Sequence, residues 1–253
     1  MAKLYLGNRE ITPSIYTNGS GSGEKFGITI DTILGDVDTN GVLQSPTGPN
    51  DLIFTGVKDV GDSALQTAFA TSHIRSVSFP DLEHLNNNRS LYSAFTSCST
   101  MTSCLFPKLS TISGSYAFSN TFSNNSNLTS VSLPELTLIT GNNSFSNAFS
   151  GCINLTSVSF PKLSVITGDS ACYGLTSACH KLTDAYFPAL TTASFGTRTN
   201  QFNYLIAYAS SSVIHTFHFP SNLESTIQGL TGYPLFGGTS GSVVLSFDLP
   251  ATS

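Results

Sequence analysis

Charged side chains are scarce in this sequence, and their scarcity limits the partners that the protein can bind. Of 253 residues, only 10 are Lys or Arg and 15 are Asp or Glu, which gives a formal net charge of −5 at pH 7. The basic residues form no cluster. Binding to nucleic-acid phosphates or anionic lipid requires a basic surface. We therefore expect no nucleic-acid partner.

Long hydrophobic runs are also missing. No stretch reaches the roughly 18 to 20 consecutive apolar residues that a membrane-spanning helix needs. The opening MAKLYLGNRE lacks the apolar core of a secretory signal peptide. The sequence therefore predicts no membrane insertion and, in this numbering, no signal peptide.

Motifs for catalysis and cofactor binding are absent as well. The sequence has no G-x-S-x-G elbow and no glycine-rich phosphate loop after a strand. Its five cysteines are an odd number, so they cannot all pair within one chain, and we interpret them as free thiols. A hydrolase would need a pair of carboxylates on one strand face, where we expect only Asp184. The prediction is a protein without catalytic residues and without a cofactor.

Two segments contain possible metal ligands. Asp36 to Gly41 reads D-V-D-T-N-G, the start of a calcium loop, but the twelfth position is Thr47 where such loops have a bidentate Glu. Asp, Asn and Gly are also typical of tight turns. A plain hairpin turn is therefore favoured, with a calcium loop as the alternative. His215 and His218 lack neighbouring ligands at zinc spacing, so we predict no metal site there.

What the sequence does contain is a repeat of 27 residues. Five prolines occur at intervals of 27, and each is preceded by the pattern L-x-x-V-x-F: Pro80, Pro107, Pro134, Pro161 and Pro188. Degraded copies end at Pro220 and Pro250. Apolar residues at positions 1, 4 and 6 of the pattern predict a short strand with one buried face, which the proline ends. In the last two copies these positions are Ile214, Phe217 and Phe219, then Val244, Phe247 and Leu249.

The second half of each repeat predicts a turn and a short helix. A second apolar pair follows the proline, and three copies then have Gly114, Gly141 or Gly168. The next position holds helix-capping residue types, such as Asn88 and Asn142. Apolar residues then recur at spacings of four and three, as Phe145, Phe149 and Cys152 do, which is typical of one helix face.

Stacked units of this kind share one core, so the predicted fold is an α/β, right-handed solenoid with a parallel sheet on one face and short helices on the other. We predict two parts. Residues 1–50 form a capping or attachment segment that includes a small hairpin at 3–6 and 10–16, and residues 51–253 form the solenoid with a C-terminal cap.

The repeat resembles a known family. The segment AFSGCINLTSVSFP at 148–161, with Leu163 and Ile166 after it, is similar to the BspA-like (Treponema pallidum type) leucine-rich repeats. The resemblance covers about 51–253 and departs from the pattern in its longer period, in Asn125 where Cys is usual, and in the irregular copy at 182–213. It implies a bacterial surface protein with a role in adhesion. The opening LYLGN, followed by EITP, resembles prophage structural or fibre-like proteins of gut Firmicutes.

The candidate binding residues lie at outward strand positions, which are 2, 3 and 5 of the pattern. Most of these are serines, such as Ser157 and Ser159, but two consecutive C-terminal strands differ. We predict that four residues within ~5 to 10 Å of one another form a ligand patch: Asp184, Tyr186, His215 and His218.

The predicted function is a non-enzymatic adhesion module, cell-surface or extracellular, that recognises a protein or glycan on a host or bacterial surface. The alternative is a phage virion component of a tail fibre or baseplate. The sequence leaves the oligomeric state open.

Overall fold

A computed structural model describes residues 3–6, 9–11, 14–15, 26–27, 50–191, 213–229 and 242–251 of the chain. It confirms the predicted solenoid. The chain winds through about six turns that stack a parallel sheet along one side. The strands, in chain order, are β1 (Lys3–Leu6), β2 (Arg9–Ile11), β3 (Ser14–Ile15), β4 (Phe26–Gly27), β5 (Asn50–Thr55), β6 (Ile74–Ser78), β7 (His84–Leu85), β8 (Ser103–Leu105), β9 (Thr111–Ile112), β10 (Ser130–Ser132), β11 (Leu138–Ile139), β12 (Ser157–Ser159), β13 (Val165–Ile166), β14 (Asp184–Tyr186), β15 (Ile214–Pro220) and β16 (Ser242–Leu249).

The strand before each proline belongs to the main row of the sheet. Strands β5, β6, β8 and β10 pair in parallel, and so do β12, β14, β15 and β16. Each proline ends its strand because it has no amide to donate to the next one. The row therefore consists of two hydrogen-bonded sheets, which meet between β10 and β12, and each presents one face to the core and one to solvent.

A second row of strands was not predicted. The apolar pair after each proline forms a two-residue strand, and β7, β9, β11 and β13 pair in parallel. Their inward residues are fully buried: Leu85, Ile112, Ile139 and Ile166. Each coil therefore has two short strands joined by the corner that the proline makes.

The N-terminal hairpin extends the main row. Strand β1 pairs antiparallel with β2 and also with β5, the first strand of the solenoid. Strands β3 and β4 form a separate antiparallel pair. Pairing with β1 leaves β5 without an open edge. The boundary at residue 50, and a role of the segment in attachment, stay predictions.

Phenylalanine ladders fill the core, one ring per coil. One ladder runs through Phe69, Phe95, Phe122 and Phe149, whose successive ring centroids are 5.1, 5.5 and 6.1 Å apart and nearly parallel. A second ladder lies under the main strand row, with centroid spacings of 5.4 and 5.5 Å in its C-terminal part: Phe160, Phe187 and Phe219. Rings stacked in this way bury large apolar areas and add specific aromatic contacts.

The predicted helices of the repeats are wrong, because the segments opposite the sheet are chains of tight turns. In the coil at 61–72, Ser63, Thr67 and Thr71 have φ of 53°, 55° and 62°, in the left-handed region. Alternate amides bond three residues back or to the next coil, as Ala68 N donates to Leu65 O at 3.1 Å and Phe69 N donates to Ala94 O at 2.9 Å. In the described part of the chain, helical hydrogen bonding is confined to a 3-10 turn (Ser221–Leu223) and helix α1 (Glu224–Gly229).

The four-residue spacing that suggested helices comes from these turns. A residue in the left-handed conformation at every fourth position turns the backbone. Apolar side chains four residues apart therefore still point inward. The coils place residues that adopt this conformation with little cost at several such positions: Asn120, Asn124, Asn143, Asn147, Gly151 and Gly174. This pattern of Asn and Gly was visible in the sequence.

The residues predicted to cap helices instead link neighbouring coils. Asn142 Oδ1 accepts the Asp169 amide at 3.0 Å, and Asn88 Oδ1 accepts the Ser115 amide at 2.9 Å. Asp62 Oδ1 accepts the Asn88 amide at 2.8 Å in the same way. An amide that the turn geometry would leave unpaired is thus satisfied by the equivalent residue of the preceding coil.

All five cysteines are buried free thiols, as predicted. Cys98, Cys152 and Cys179 share one position of the repeat, and each thiol donates to a carbonyl of the preceding coil at 3.1 Å. Burial raises the pKa of Cys152 to about 12, which keeps this thiol protonated and unreactive. Asn125 takes the same position, and its Nδ2 donates to the Phe95 carbonyl at 2.9 Å.

The substitution Asn125→Cys is expected to stabilise the protein. A thiol at this position can donate to the Phe95 carbonyl, as the other cysteines donate to the preceding coil, whereas the Asn125 Oδ1 is buried and has no hydrogen-bond partner among the described residues. An unsatisfied buried acceptor costs about 1 to 3 kcal/mol. We expect the free energy of unfolding to rise by about 1 kcal/mol, measured by urea denaturation. The reciprocal variant Cys152→Asn should lower it, and a loss of stability in Asn125→Cys would contradict this account.

Candidate functional site

The outward face of the main strand row changes composition near its C-terminal end. The central strands present exposed serines: Ser130, Ser132, Ser157 and Ser159. On the next strand, Asp184 pairs in register with Ser157 and Tyr186 with Ser159. His218 follows Tyr186 on β15. A short hydroxyl surface therefore gives way to a cluster of larger, ionisable side chains.

His218 joins three neighbouring strands. Its Nε2 lies 3.0 Å from Asp184 Oδ1 on β14, and its Nδ1 lies 3.0 Å from Asp248 Oδ1 on β16. Its ring stacks on Tyr186, with centroids 4.3 Å apart and planes 9° from parallel. We call Asp184, Tyr186, His218 and Asp248 the C-terminal patch. The His218 side chain is only 13% exposed within it.

This geometry requires a protonated His218. A neutral imidazole has one donor and one acceptor nitrogen, whereas both nitrogens here face carboxylates, which only accept when ionised. Burial by itself lowers the pKa of His218, but the hydrogen bonds to Asp184 and Asp248 outweigh it, and the net result is a raised pKa. For Asp184 the effects have the opposite sign. Burial raises the pKa of this carboxyl, and its hydrogen bond to His218 contributes to a net lowering. The patch thus holds one positive and two negative charges.

The structure brings together three of the four predicted residues, and the outward position of His215 is wrong. His215 is fully buried, and its Nδ1 donates to the Leu182 carbonyl. It therefore lies beneath the strand row, on the side opposite to His218. Its position removes it from the patch that a ligand can reach.

The error has a clear cause in the length of β15. In the central coils the first apolar residue of the pattern precedes a three-residue strand, as Leu155 precedes β12, and it points inward. Strand β15 has seven residues, so strict alternation extends back from Phe217 and turns His215 inward. Ile214 is then 59% exposed, and Val244 on β16 is 43% exposed. Both had been predicted to be buried.

Asp248 is the functional residue that the sequence analysis missed. It lies between Phe247 and Leu249, two residues that the repeat pattern had already predicted to point inward, so alternation alone placed it on the outward face. The expectation that Asp184 is the only carboxylate there is therefore wrong. Both carboxylates bind His218, and this pairing holds the last strands together.

The segment at Asp36, predicted to be a hairpin turn with a calcium loop as the alternative, lies outside the described residues. Within the described ranges, no group of three or more His, Cys, Asp or Glu side chains has the arrangement of a metal site. No helix in the same ranges is long and apolar enough to cross a membrane.

A family match agrees with this architecture. The chain matches the family described as "BspA type Leucine rich repeat region", with six copies, over residues 57–147 and 119–229. The crystal structure of the T. pallidum leucine-rich-repeat protein is similar at 17% identity and a TM-score of 0.38, covering 77% of this chain and 92% of that one. No curated protein matches the chain.

Proposed function

Because the chain belongs to the BspA-type leucine-rich-repeat family, we propose that it is a non-enzymatic binding module that presents the C-terminal patch to a protein ligand. Repeats of this family generally form binding scaffolds. The proposal includes display at a bacterial cell surface, where the ligand belongs to a host or to another bacterium. A glycan ligand is the alternative that the experiment below separates.

The observation that supports this proposal is a tyrosine held rigidly in a row of serines. Tyrosine supplies a large contact area at small entropic cost and is enriched among the residues that dominate binding energy. Stacking on His218 fixes the ring of Tyr186 before any ligand arrives. Preorganisation of this kind favours binding because less conformational freedom is lost.

A virion protein is the second candidate. The observation that favours it is the N-terminal segment, whose sequence resembles prophage structural proteins and whose strand β1 pairs with the first coil. In this case the segment docks to a tail or baseplate, and the solenoid forms the tip that meets a receptor. Co-sedimentation of the protein with purified phage particles would support it, whereas recovery in the cell-surface fraction alone would favour the cell-surface module.

The binding test uses an array of purified extracellular host proteins and glycans, followed by affinity measurement on whatever binds. Tyr186→Ser gives this coil the residue that its neighbour has at Ser159, so we expect the melting temperature to change little. Loss of the central aromatic contact should weaken binding at least tenfold, equal to about 1.4 kcal/mol.

One matched control variant completes the test. Ser78→Ala removes a hydroxyl at the same strand position four coils away and should leave affinity unchanged. His218 is kept, because its removal would leave Asp184 and Asp248 without their shared cation. Unaltered affinity in Tyr186→Ser would place the binding site elsewhere on the molecule.

A further inference from the structure

The ring of Tyr186 has one face covered by His218 and one face on which, among the described residues, no other ring stacks. His218 covers the face toward β15, with planes 9° from parallel. The other face points along the solenoid toward the preceding coil, where the residue in register is Ser159. Ser159 is exposed, and its side chain is too short to cover an aromatic ring. A slot therefore lies above Ser159, about one strand spacing or ~4.8 Å wide.

A carboxylate lies beside this slot. Asp184 precedes Tyr186 by two positions on the same strand and points to the same face. Its side chain is 35% exposed, and it accepts hydrogen bonds from the side chains of His218, Thr183 and Tyr186. An ionised carboxylate has about four lone-pair sites, so Asp184 can still accept a hydrogen bond from a ligand. With two carboxylates and one imidazolium, the patch has an excess of negative charge.

We propose that this slot binds the guanidinium group of an arginine side chain from a partner protein. The inference rests on the proposed function and specifies the chemistry of its ligand. A planar guanidinium stacks on a tyrosine face within ~6 Å of the ring centroid. Its fork of N–H donors can bond a carboxylate at the same time. Tyr186 supplies the open face, Asp184 the acceptor, and Ser159 the space.

Lysine and neutral sugars fit this arrangement less well. An ammonium is a compact charge that does not stack as a plane. A sugar can stack on the open face of Tyr186, but it gains nothing from the excess negative charge. The position of Asp184 beside an aromatic face therefore favours the planar cation.

The test is an NMR titration of the full chain with N-acetyl-arginine amide. A single side chain of this size should bind with a dissociation constant on the order of 1 mM and shift the resonances of Tyr186 and Ser159. The matched probe is N-acetyl-citrulline amide, which has the same shape without the charge. We expect it to bind at least tenfold more weakly.

Two substitutions locate the effect. Ser159→Phe fills the slot without altering a charged residue and should abolish the arginine-induced shifts. Ser78→Phe makes the same change three coils away and should preserve them. Melting curves of both variants show whether each remains folded.

Equal binding of arginine and citrulline would overturn the inference, and so would persistence of the shifts in folded Ser159→Phe. Shifts produced by methyl β-glucoside but not by arginine would overturn it in favour of a saccharide. If arginine fails while a captured protein ligand still loses affinity in Tyr186→Ser, the proposed function stands and only the arginine slot is rejected.

Discussion

Gly141→Ala is expected to destabilise the solenoid by about 3 kcal/mol or more, the upper end of the cost typical of overpacked cores. A Cβ at this position would lie 2.3 Å from the Gly114 carbonyl oxygen and 2.6 Å from that of Ser113. Both atoms are backbone of the preceding coil, so no side chain can rotate away. Relief would require the two coils to separate, which weakens the hydrogen bonds between them.

Gly141 belongs to a stack of close backbone contacts. A Cβ on Gly114 would lie 2.0 Å from the Asn87 carbonyl oxygen, and one on Gly168 would lie 2.1 Å from that of Gly141. The three glycines that the sequence placed at one repeat position are thus needed for close approach of successive coils.

The measurement for Gly141→Ala is thermal unfolding. For a chain of this size, ~3 kcal/mol corresponds to a fall in melting temperature of about 6 to 12 °C. The control is Thr140→Ala, whose side chain is only partly buried and which keeps the backbone contact; its stability should stay within ~0.5 kcal/mol of the parent. Coincident melts of Gly141→Ala and the parent would show that the coils are not packed this closely.

The repeat period made the overall fold predictable from the sequence. Prolines at a constant interval, with apolar residues at fixed positions before them, leave stacking as the way to bury the inward faces. The register of Phe95, Phe122 and Phe149 follows from the same period, and the structure confirms it.

The secondary structure of the segments opposite the sheet could not be predicted from apolar spacing, because two backbone conformations give the same spacing. A helix and a chain of turns with every fourth residue left-handed both repeat inward residues near Phe145 and Phe149. Apolar periodicity indicates which side chains are buried. It does not indicate which backbone hydrogen bonds the segment forms. The Asn and Gly residues at left-handed positions distinguish the two, as Asn143, Asn147 and Gly151 do in this coil.

The candidate site was predictable only in part for a similar reason. Tyr186 and Asp184 lie on a three-residue strand that pairs with β12 at the regular 27-residue offset, so the repeat pattern oriented them correctly. His215 lies in a longer strand, where alternation and the repeat pattern disagree, and alternation determines its direction. Asp248 occupies the same repeat position as His218, so the pattern could have placed it on the outward face, where β16 pairs with β15.

Phe149→Ala is expected to lower the free energy of unfolding by about 3 to 5 kcal/mol, the usual cost of truncating a buried phenylalanine. Phe149 is fully buried, stacks on Phe122 at 6.1 Å, and meets Phe145 edge-on at 5.7 Å. Its removal leaves a cavity inside a ladder whose neighbours are fixed by the coils on either side, so little collapse can fill it. Urea denaturation measures the loss. Leu105→Ala is the control, because Leu105 is 47% exposed on the outward face and should lose less than ~0.5 kcal/mol. An equally small loss in Phe149→Ala would show that this ring does not lie in the core.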